Sequence, residues 1–286
     1  MIFNMKYSKL VLTFLLSIFI VNSYAQEQIQ NKNGVDILPV SGEFAIGFNA
    51  VPFLNLIGNA TAGNGKFIGN MFGQNTIFGK YMLDNQTALR ANFNFNINNF
   101  NNRNFVIDNT ANSPDSLVTD GISVANQTFG LSGGYEMRRG KGRVQAIFGG
   151  DLAFLFSRSA RSMTYGNAFG EINQSPTATN WTNAGNPINS VSQGERMIEQ
   201  MNGNTFSVGI RPFLGIEYFF APKISIGAEF GWTLLYSTTG DGEQINEYYS
   251  PSAETVYTRT LPSAGSNAFN ASIDNLNGAV TLLFYF

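Results

Sequence analysis

The stretch ALRANFNFNIN, residues 88–98, alternates apolar and polar side chains almost without a break. A period of two places successive side chains on opposite faces of an extended backbone, whereas a helix has a period near 3.6. The stretch therefore predicts a β-strand with one apolar and one polar face. Its two faces are Leu89, Ala91, Phe93, Phe95 and Ile97, against Arg90, Asn92, Asn94, Asn96 and Asn98.

Seven further segments alternate in the same way, with Phe, Leu, Ile and Val on one face and Gly, Asn, Ser and single charges on the other. The main alternative fold, a secreted β-sandwich, would pack its inner faces into an apolar core. A face of small and charged residues suits a narrow polar lumen better, which favours a barrel. The eight segments are 43–51, 76–83, 88–98, 129–138, 143–157, 206–218, 224–236 and 276–286.

The connections between these segments fall into two classes. Short turns are expected at 84–86, 139–142 and 221–223, and long polar loops at 55–74, 99–126, 165–203 and 240–268. Short turns at one end and long loops at the other are typical of transmembrane β-barrels. We therefore predict an all-β fold over residues 41–286. It is an antiparallel up-and-down transmembrane barrel of eight strands, with periplasmic turns, extracellular loops and a periplasmic N-terminal segment at 26–40.

The first 25 residues have the three regions of a signal peptide. Lys6 and Lys9 precede an apolar run at 10–21, and small residues lead to a cleavage site after Ala25. The run has 12 residues, too few for a helix that needs about 20 to span a bilayer. Export is therefore expected. The chain has no Cys, so neither disulfides nor a cysteine-linked lipid contribute to its stability or anchoring.

Nine charged residues fall on the polar faces of the predicted strands, four basic and five acidic. An eight-stranded barrel has an interior wide enough only for side chains, and buried charges there must pair. This indicates a lumen plugged by salt bridges, and the alternative is a polar channel or binding pocket. The predicted lumen charges are Glu43, Lys80, Arg90, Glu136, Arg138, Asp151, Arg211, Glu217 and Glu229.

Several chemistries have little support. The chain contains no His, the commonest general base and metal ligand, and its loop carboxylates show no regular ligand spacing. We therefore expect no enzymatic activity, no metal site and no cofactor. Charged residues make up only 13% of the chain, and the net charge is −2, which argues against nucleic acid as a partner.

The signal peptide, the eight alternating segments and the pattern of short and long connections resemble the small OmpA-like and OmpW-like outer-membrane barrels of Gram-negative bacteria. The last strand also resembles the signal by which the barrel-assembly machinery recognises its clients, through Val280, Leu282, Phe284 and Phe286. The resemblance implies an integral protein of the cell outer membrane, in contact with lipid. We expect a structural or accessory subunit of an envelope assembly, with a protein partner bound through loops or turns. The alternative is a narrow porin-like transport barrel for small solutes.

Overall fold

The structure is a computed structural model that describes residues 29–49, 75–113, 115–183, 186–187, 191–192 and 194–286. The predicted signal peptide and the predicted loop at 55–74 lie outside the described residues. Within the described part of the chain, no helix has the length and hydropathy to cross a membrane.

The described residues form 14 β-strands and no helix, so the all-β prediction is confirmed. In chain order the strands are β1 Phe44–Asn49, β2 Asn75–Met82, β3 Thr87–Ile107, β4 Leu117–Lys141, β5 Val144–Thr164, β6 Thr182–Asn183, β7 Asn186–Pro187, β8 Val191–Ser192, β9 Glu195–Met201, β10 Thr205–Ala221, β11 Ile224–Thr239, β12 Gly242–Ser250, β13 Thr255–Ser263 and β14 Ser266–Tyr285.

The main sheet has 12 strands, so the prediction of eight is wrong for the sheet as a whole. Eight strands pair antiparallel in a closed circuit, because β14 pairs with both β1 and β11 and β5 pairs with both β4 and β10. This circuit is called the ring and consists of β1, β2, β3, β4, β5, β10, β11 and β14. The other four strands of the sheet, β8, β9, β12 and β13, extend it beyond β5.

In a protein that folds around an apolar core, the apolar face of a strand is buried. Along the ring strands the apolar face is exposed and the opposite face is buried. On β10 the apolar side chains of Ile210, Leu214 and Ile216 are 53%, 53% and 58% exposed, whereas the charged Glu217 is fully buried. Apolar residues thus cover the outside of the ring, and buried charged residues lie inside it. A strand of period two produces this arrangement when its apolar face is turned outward.

The two ends of the ring differ. One end, called the turn side, has short connections at 83–86, 142–143 and 222–223. The turns predicted at 84–86 and 221–223 are confirmed in position, whereas the turn predicted at 139–142 is shorter and lies at 142–143, because β4 continues through Lys141. The turn between β4 and β5 contains Gly142, whose φ of +69° lies in the left-handed region that glycine adopts readily. Short turns hold neighbouring strands in register and fix which side chains meet inside the ring.

At the other end, called the loop side, three predicted loops are partly wrong, because strands occupy part of each one. Strands β3 and β4 run through most of 99–126, β9 lies within 165–203, and β12 and β13 lie within 240–268. The predicted strand at 276–286 likewise begins earlier, at Ser266. These segments have mixed polarity and little apolar alternation, because neither of their faces has to be apolar. Pairing with a neighbouring strand satisfies their backbone groups.

The turn side of the ring is closed by an apolar cluster. Residues 29–40 cross this end, and Ile37 and Leu38 from that segment are fully buried against side chains of the ring. Lys223 ties the segment to the β10–β11 turn, since its backbone N–H donates to the Ile37 carbonyl at 3.1 Å. The ring members of the cluster are Ala45, Met82, Ala88, Phe219, Leu283 and Tyr285.

Candidate functional site

The charged interior of the ring is the candidate functional site. Eight of the nine residues predicted to face the lumen come together there, from six different strands of the ring. We call this set the lumen charge network. Its members are Lys80 on β2, Arg90 on β3, Glu136 and Arg138 on β4, Asp151 on β5, Arg211 and Glu217 on β10, and Glu229 on β11.

Arg138 is the centre of the turn-side half of the network and is completely buried. Its Nη2 lies 2.7 Å from Oε2 of Glu217, and its Nε lies 3.0 Å from Oε1 of Glu136. Lys80 reaches the same two carboxylates, with its Nζ 2.9 Å from Glu136 Oε2 and 3.3 Å from Glu217 Oε2. Two cations and two carboxylates therefore form a closed square across the lumen.

Two hydroxyl groups complete this half of the network. The Tyr285 hydroxyl donates to Oε1 of Glu217 at 2.7 Å and accepts a hydrogen bond from Nη2 of Arg138. The Ser225 hydroxyl donates to the same Glu217 oxygen. Glu217 thus has both oxygens engaged, as a buried carboxylate requires.

Arg90 connects the two halves of the network. Its Nη1 lies 3.3 Å from Glu136 on the turn side and 2.9 Å from Glu229 on the loop side. Its Nε is 3.1 Å from Oδ1 of Asp151, although these two atoms are not aligned as a hydrogen bond. The guanidinium also lies over the phenyl group of Phe213, with 4.0 Å between its central carbon and the centroid of the phenyl group.

Arg211 completes the loop-side half. Its Nη1 lies 2.6 Å from Oε1 of Glu229 and 3.3 Å from Oδ2 of Asp151. The whole network contains four cations and four carboxylates and is electrically neutral. Neutrality matters because an uncompensated charge inside a protein costs several kcal/mol.

Glu43 is the exception among the nine predicted lumen charges, and that prediction is corrected. Its carboxylate lies at the turn-side rim and pairs with Lys223, with 2.7 Å between Oε1 and Nζ. The same Nζ donates to the carbonyl of Leu38 at 2.9 Å. Glu43 immediately precedes β1, so its side chain meets the β10–β11 turn and not the centre of the lumen. Because Glu43 is not part of the network, the numbers of cations and carboxylates in the network are equal.

Sequence reasoning missed three residues of this region: Lys223, Ser225 and Tyr285. Ser225 and Tyr285 could have been found by counting, because each stands on the face opposite the apolar residues of its strand. Lys223 lies in a turn, where the alternation of strand residues does not predict the direction of a side chain. Only the close approach of residues 29–40 to this turn brings Lys223 near Glu43.

The four residues of the predicted assembly signal lie at the seam between the first and last strands. Leu282 and Phe284 are on β14, opposite Phe48 and Ile46 of β1. Val280 is on the same face of β14, and Phe286 follows the strand and is 71% exposed. Phe286 exchanges two backbone hydrogen bonds with Phe44, each 2.9 Å long. Recognition of these residues by an assembly machinery stays a prediction.

Beyond the network, toward the loop side, the interior is lined by uncharged polar groups. The Asn92 amide donates to the Ser132 hydroxyl at 2.9 Å, and the hydroxyls of Ser207 and Ser237 are 2.8 Å apart. These pairs cross neighbouring strands at the register that the sheet imposes. The charges are thus concentrated in the turn-side half of the ring.

The loop side carries an ordered structure of its own, which we call the loop-side extension: β9, β12, β13 and residues 165–182. The buried carboxylate of Asp120 accepts hydrogen bonds from the backbone N–H groups of Gly166 at 2.9 Å and Thr179 at 2.6 Å. Arg196, also buried, lies over the ring of Tyr165 and pairs with Glu247 at 2.7 Å. Nearby, hydrogen bonds from Thr110 lower the pKa of the partly exposed Asp108 below its ordinary value.

Comparison with known proteins yields no match to a family model, to a curated protein sequence or to a solved structure. The resemblance to OmpA-like and OmpW-like barrels therefore stays a prediction from the sequence pattern.

Proposed function

We propose that this chain is an integral outer-membrane β-barrel whose lumen is closed, and that it serves as a structural or accessory component of the cell envelope. The observation that carries the proposal is the inverted distribution of polarity. Large apolar side chains are exposed around the ring, while six of the eight charged residues of the network are buried inside it and the other two, Arg211 and Glu229, are partly buried. Water is a poor solvent for such an outer surface and a hydrocarbon layer is a good one.

The closed circuit of pairing also suits a bilayer. Backbone groups in a hydrocarbon layer must all be satisfied within the protein, and a closed ring of strands has no open edge. The β1–β14 pairing provides that closure here, with β1 hydrogen-bonded on both sides. An open sheet of the same composition would leave backbone donors facing lipid.

Two layers support a closed lumen. The lumen charge network spans the interior with nine ion-pair contacts, none longer than 3.3 Å. Below it, Ile37 and Leu38 fill the turn-side mouth against Phe219 and Tyr285. These layers favour the plugged barrel over the porin-like transport barrel, because a solute would have to displace both.

Reconstitution tests membrane insertion. The chain without residues 1–25 is refolded into phospholipid vesicles, and its electrophoretic migration is compared before and after boiling. We expect a faster-migrating unboiled band and protection of the ring strands from added protease. Protein that stays in the aqueous phase and is digested completely would overturn the proposal.

Single-channel recording in planar bilayers tests whether the lumen is closed. We expect no resolvable conductance from the inserted protein. A double variant, Leu38→Gly with Arg138→Gly, removes bulk from both layers and should give measurable openings if the protein still inserts. Discrete openings of the unaltered chain would contradict the plugged lumen and favour transport of small solutes.

The proposal assigns the chain no catalytic activity, and it leaves binding to the surfaces outside the ring. A structural component of an envelope assembly needs a protein partner, and the loop-side extension and the turns are the surfaces that project beyond the proposed bilayer. Mild detergent extraction followed by affinity purification tests this part of the proposal. Recovery of the chain alone, without a stoichiometric partner, would count against the accessory-subunit role.

A further inference from the structure

The turn between β4 and β5 carries three cations within five residues: Arg139, Lys141 and Arg143. Arg139 follows the inward-facing Arg138, so strand alternation turns it toward the outside of the ring, and Lys141 lies on the same face. Lys141 is exposed, and Arg139 and Arg143 are half-buried. Arg139 and Lys141 therefore lie at the turn-side rim, next to the outer surface, and Arg143 lies in the adjoining turn.

No carboxylate in the described part of the chain forms a salt bridge with any of these three cations. Arg139 donates from Nη1 to the carbonyl of Arg138 at 2.6 Å, and its buried Nε has no hydrogen-bond partner among the described residues. Arg143 donates to the carbonyls of Phe219 and Phe220 at 3.1 Å and 3.0 Å. Among the residues that the structure describes, no acidic side chain compensates their positive charge.

The carboxylates on the turn side are engaged elsewhere. Glu43 pairs with Lys223, and Asp84 accepts hydrogen bonds from the Gln86 N–H at 2.7 Å and the Thr87 hydroxyl at 2.7 Å. Asp36 accepts a hydrogen bond from the Gln30 amide at 3.1 Å. Within the described part of the chain, the rim thus has an unbalanced positive patch.

Directly beside this patch the outer surface is apolar and aromatic. Val144 is 51% exposed and is paired with Tyr218, which is 46% exposed, and Phe220 is 48% exposed. Amphipathic aromatic residues at the edge of an apolar band are typical of the boundary between hydrocarbon and headgroups in membrane barrels. Cations next to such a boundary face lipid headgroups.

We propose that the basic turn surface, formed by Arg139, Lys141 and Arg143 with Tyr218 and Phe220, binds the phosphate of an anionic phospholipid. The inference rests on the proposed membrane insertion. It adds the class of ligand that is bound and the side of the bilayer on which it is bound. Guanidinium groups donate in a planar fork that matches two phosphate oxygens, and the ammonium group adds a third positive contact. The acyl chains of the bound lipid lie on Val144, Tyr218 and Phe220.

Native mass spectrometry of the full chain without residues 1–25 tests the site. The protein is inserted into mixed vesicles of phosphatidylglycerol and phosphatidylcholine, extracted in mild detergent, and its retained lipids are counted by headgroup. We expect preferential retention of phosphatidylglycerol. Each cation near an anionic membrane surface contributes about 1 kcal/mol, or about fivefold, so Arg139→Gln with Lys141→Gln should lower the preference roughly 30-fold.

The matched control is Arg103→Gln with Arg158→Gln, which removes two exposed cations at the opposite end of the ring. It should leave the headgroup preference unchanged. Heat-modifiable migration is measured on every sample, so that insertion is scored separately from lipid selectivity. Equal retention of both lipids by inserted protein, or an unchanged preference in the Arg139/Lys141 variant, would overturn the lipid site alone. A chain that never inserts would overturn both proposals.

Discussion

The interior of the ring and the loop-side extension both contain arginine–carboxylate pairs, but the two regions place them in different surroundings. In the network, the side chains of Arg138 and Glu217 are both fully buried. In the extension, Arg259 pairs with Glu195 at 2.6 Å, and their side chains are 53% and 22% exposed. Similar distances therefore carry different energies, because water screens the second pair and not the first.

The largest effect is expected for Arg138→Ala. It removes the partner of two buried carboxylates, Glu136 and Glu217, and leaves the network with a net negative charge. We expect a loss of about 3–5 kcal/mol in the free energy of unfolding, measured by urea titration of the inserted protein with tryptophan fluorescence. Adding Glu217→Gln to this variant restores charge balance and should recover part of the loss.

A smaller loss is expected for Leu38→Ala at the turn-side mouth. Leu38 is fully buried in the apolar cluster, so truncation leaves a cavity next to Phe219. The expected cost is about 2–4 kcal/mol in the same titration. Val35→Ala is the control, since Val35 belongs to the same segment and is 47% exposed. Equal effects of the two variants would mean that residues 29–40 do not hold the mouth closed.

Glu43→Gln probes a pair of intermediate burial. The Glu43 and Lys223 side chains are each 19% exposed, so their attraction is partly screened. We expect a loss of about 1 kcal/mol. A double-mutant cycle with Lys223→Met measures the coupling between the two residues. A coupling energy as large as that of Arg138 with Glu217 would show that the ion pair at the rim is as strong as the ion pair in the lumen.

The smallest effect is expected for Arg259→Ala in the loop-side extension. An exposed ion pair contributes less than about 1 kcal/mol, and added salt reduces that contribution further. The unfolding titration is therefore run at low and at high ionic strength. A cost near that of Arg138→Ala, independent of salt, would show that exposure does not separate the two regions.

The ring was predictable wherever one face of a strand is apolar. Segments such as 88–98 and 224–236 alternate strictly, because one face of the ring is covered by apolar residues and the other faces the lumen. Strand β13, with the sequence TVYTRTLPS, has almost all of its side chains exposed, so neither face of the strand has to be apolar. Its strand conformation depends on pairing with β12, which no local pattern reveals.

The candidate site was predictable in membership but not in connectivity. Alternation alone turns Arg90, Glu136 and Glu229 inward. Which cation meets which carboxylate depends on the relative register of strands that are far apart in sequence, such as β3 and β11. The pairing of Glu43 with Lys223 depends in addition on the path of residues 29–40 across the turn side, and this segment has no strand periodicity.

The seam between β1 and β14 has a consequence for the rate of folding. Ala45 pairs with Tyr285, so the contacts that close the ring join the two most distant strands in the sequence. Proteins dominated by such distant contacts fold slowly, since the entropy of closing a long loop is lost before the contact forms. The network shares this dependence, because Tyr285 reaches Glu217 only when β14 is in place. We expect ring closure to be the slow step, and the lumen charges to remain in water until it occurs.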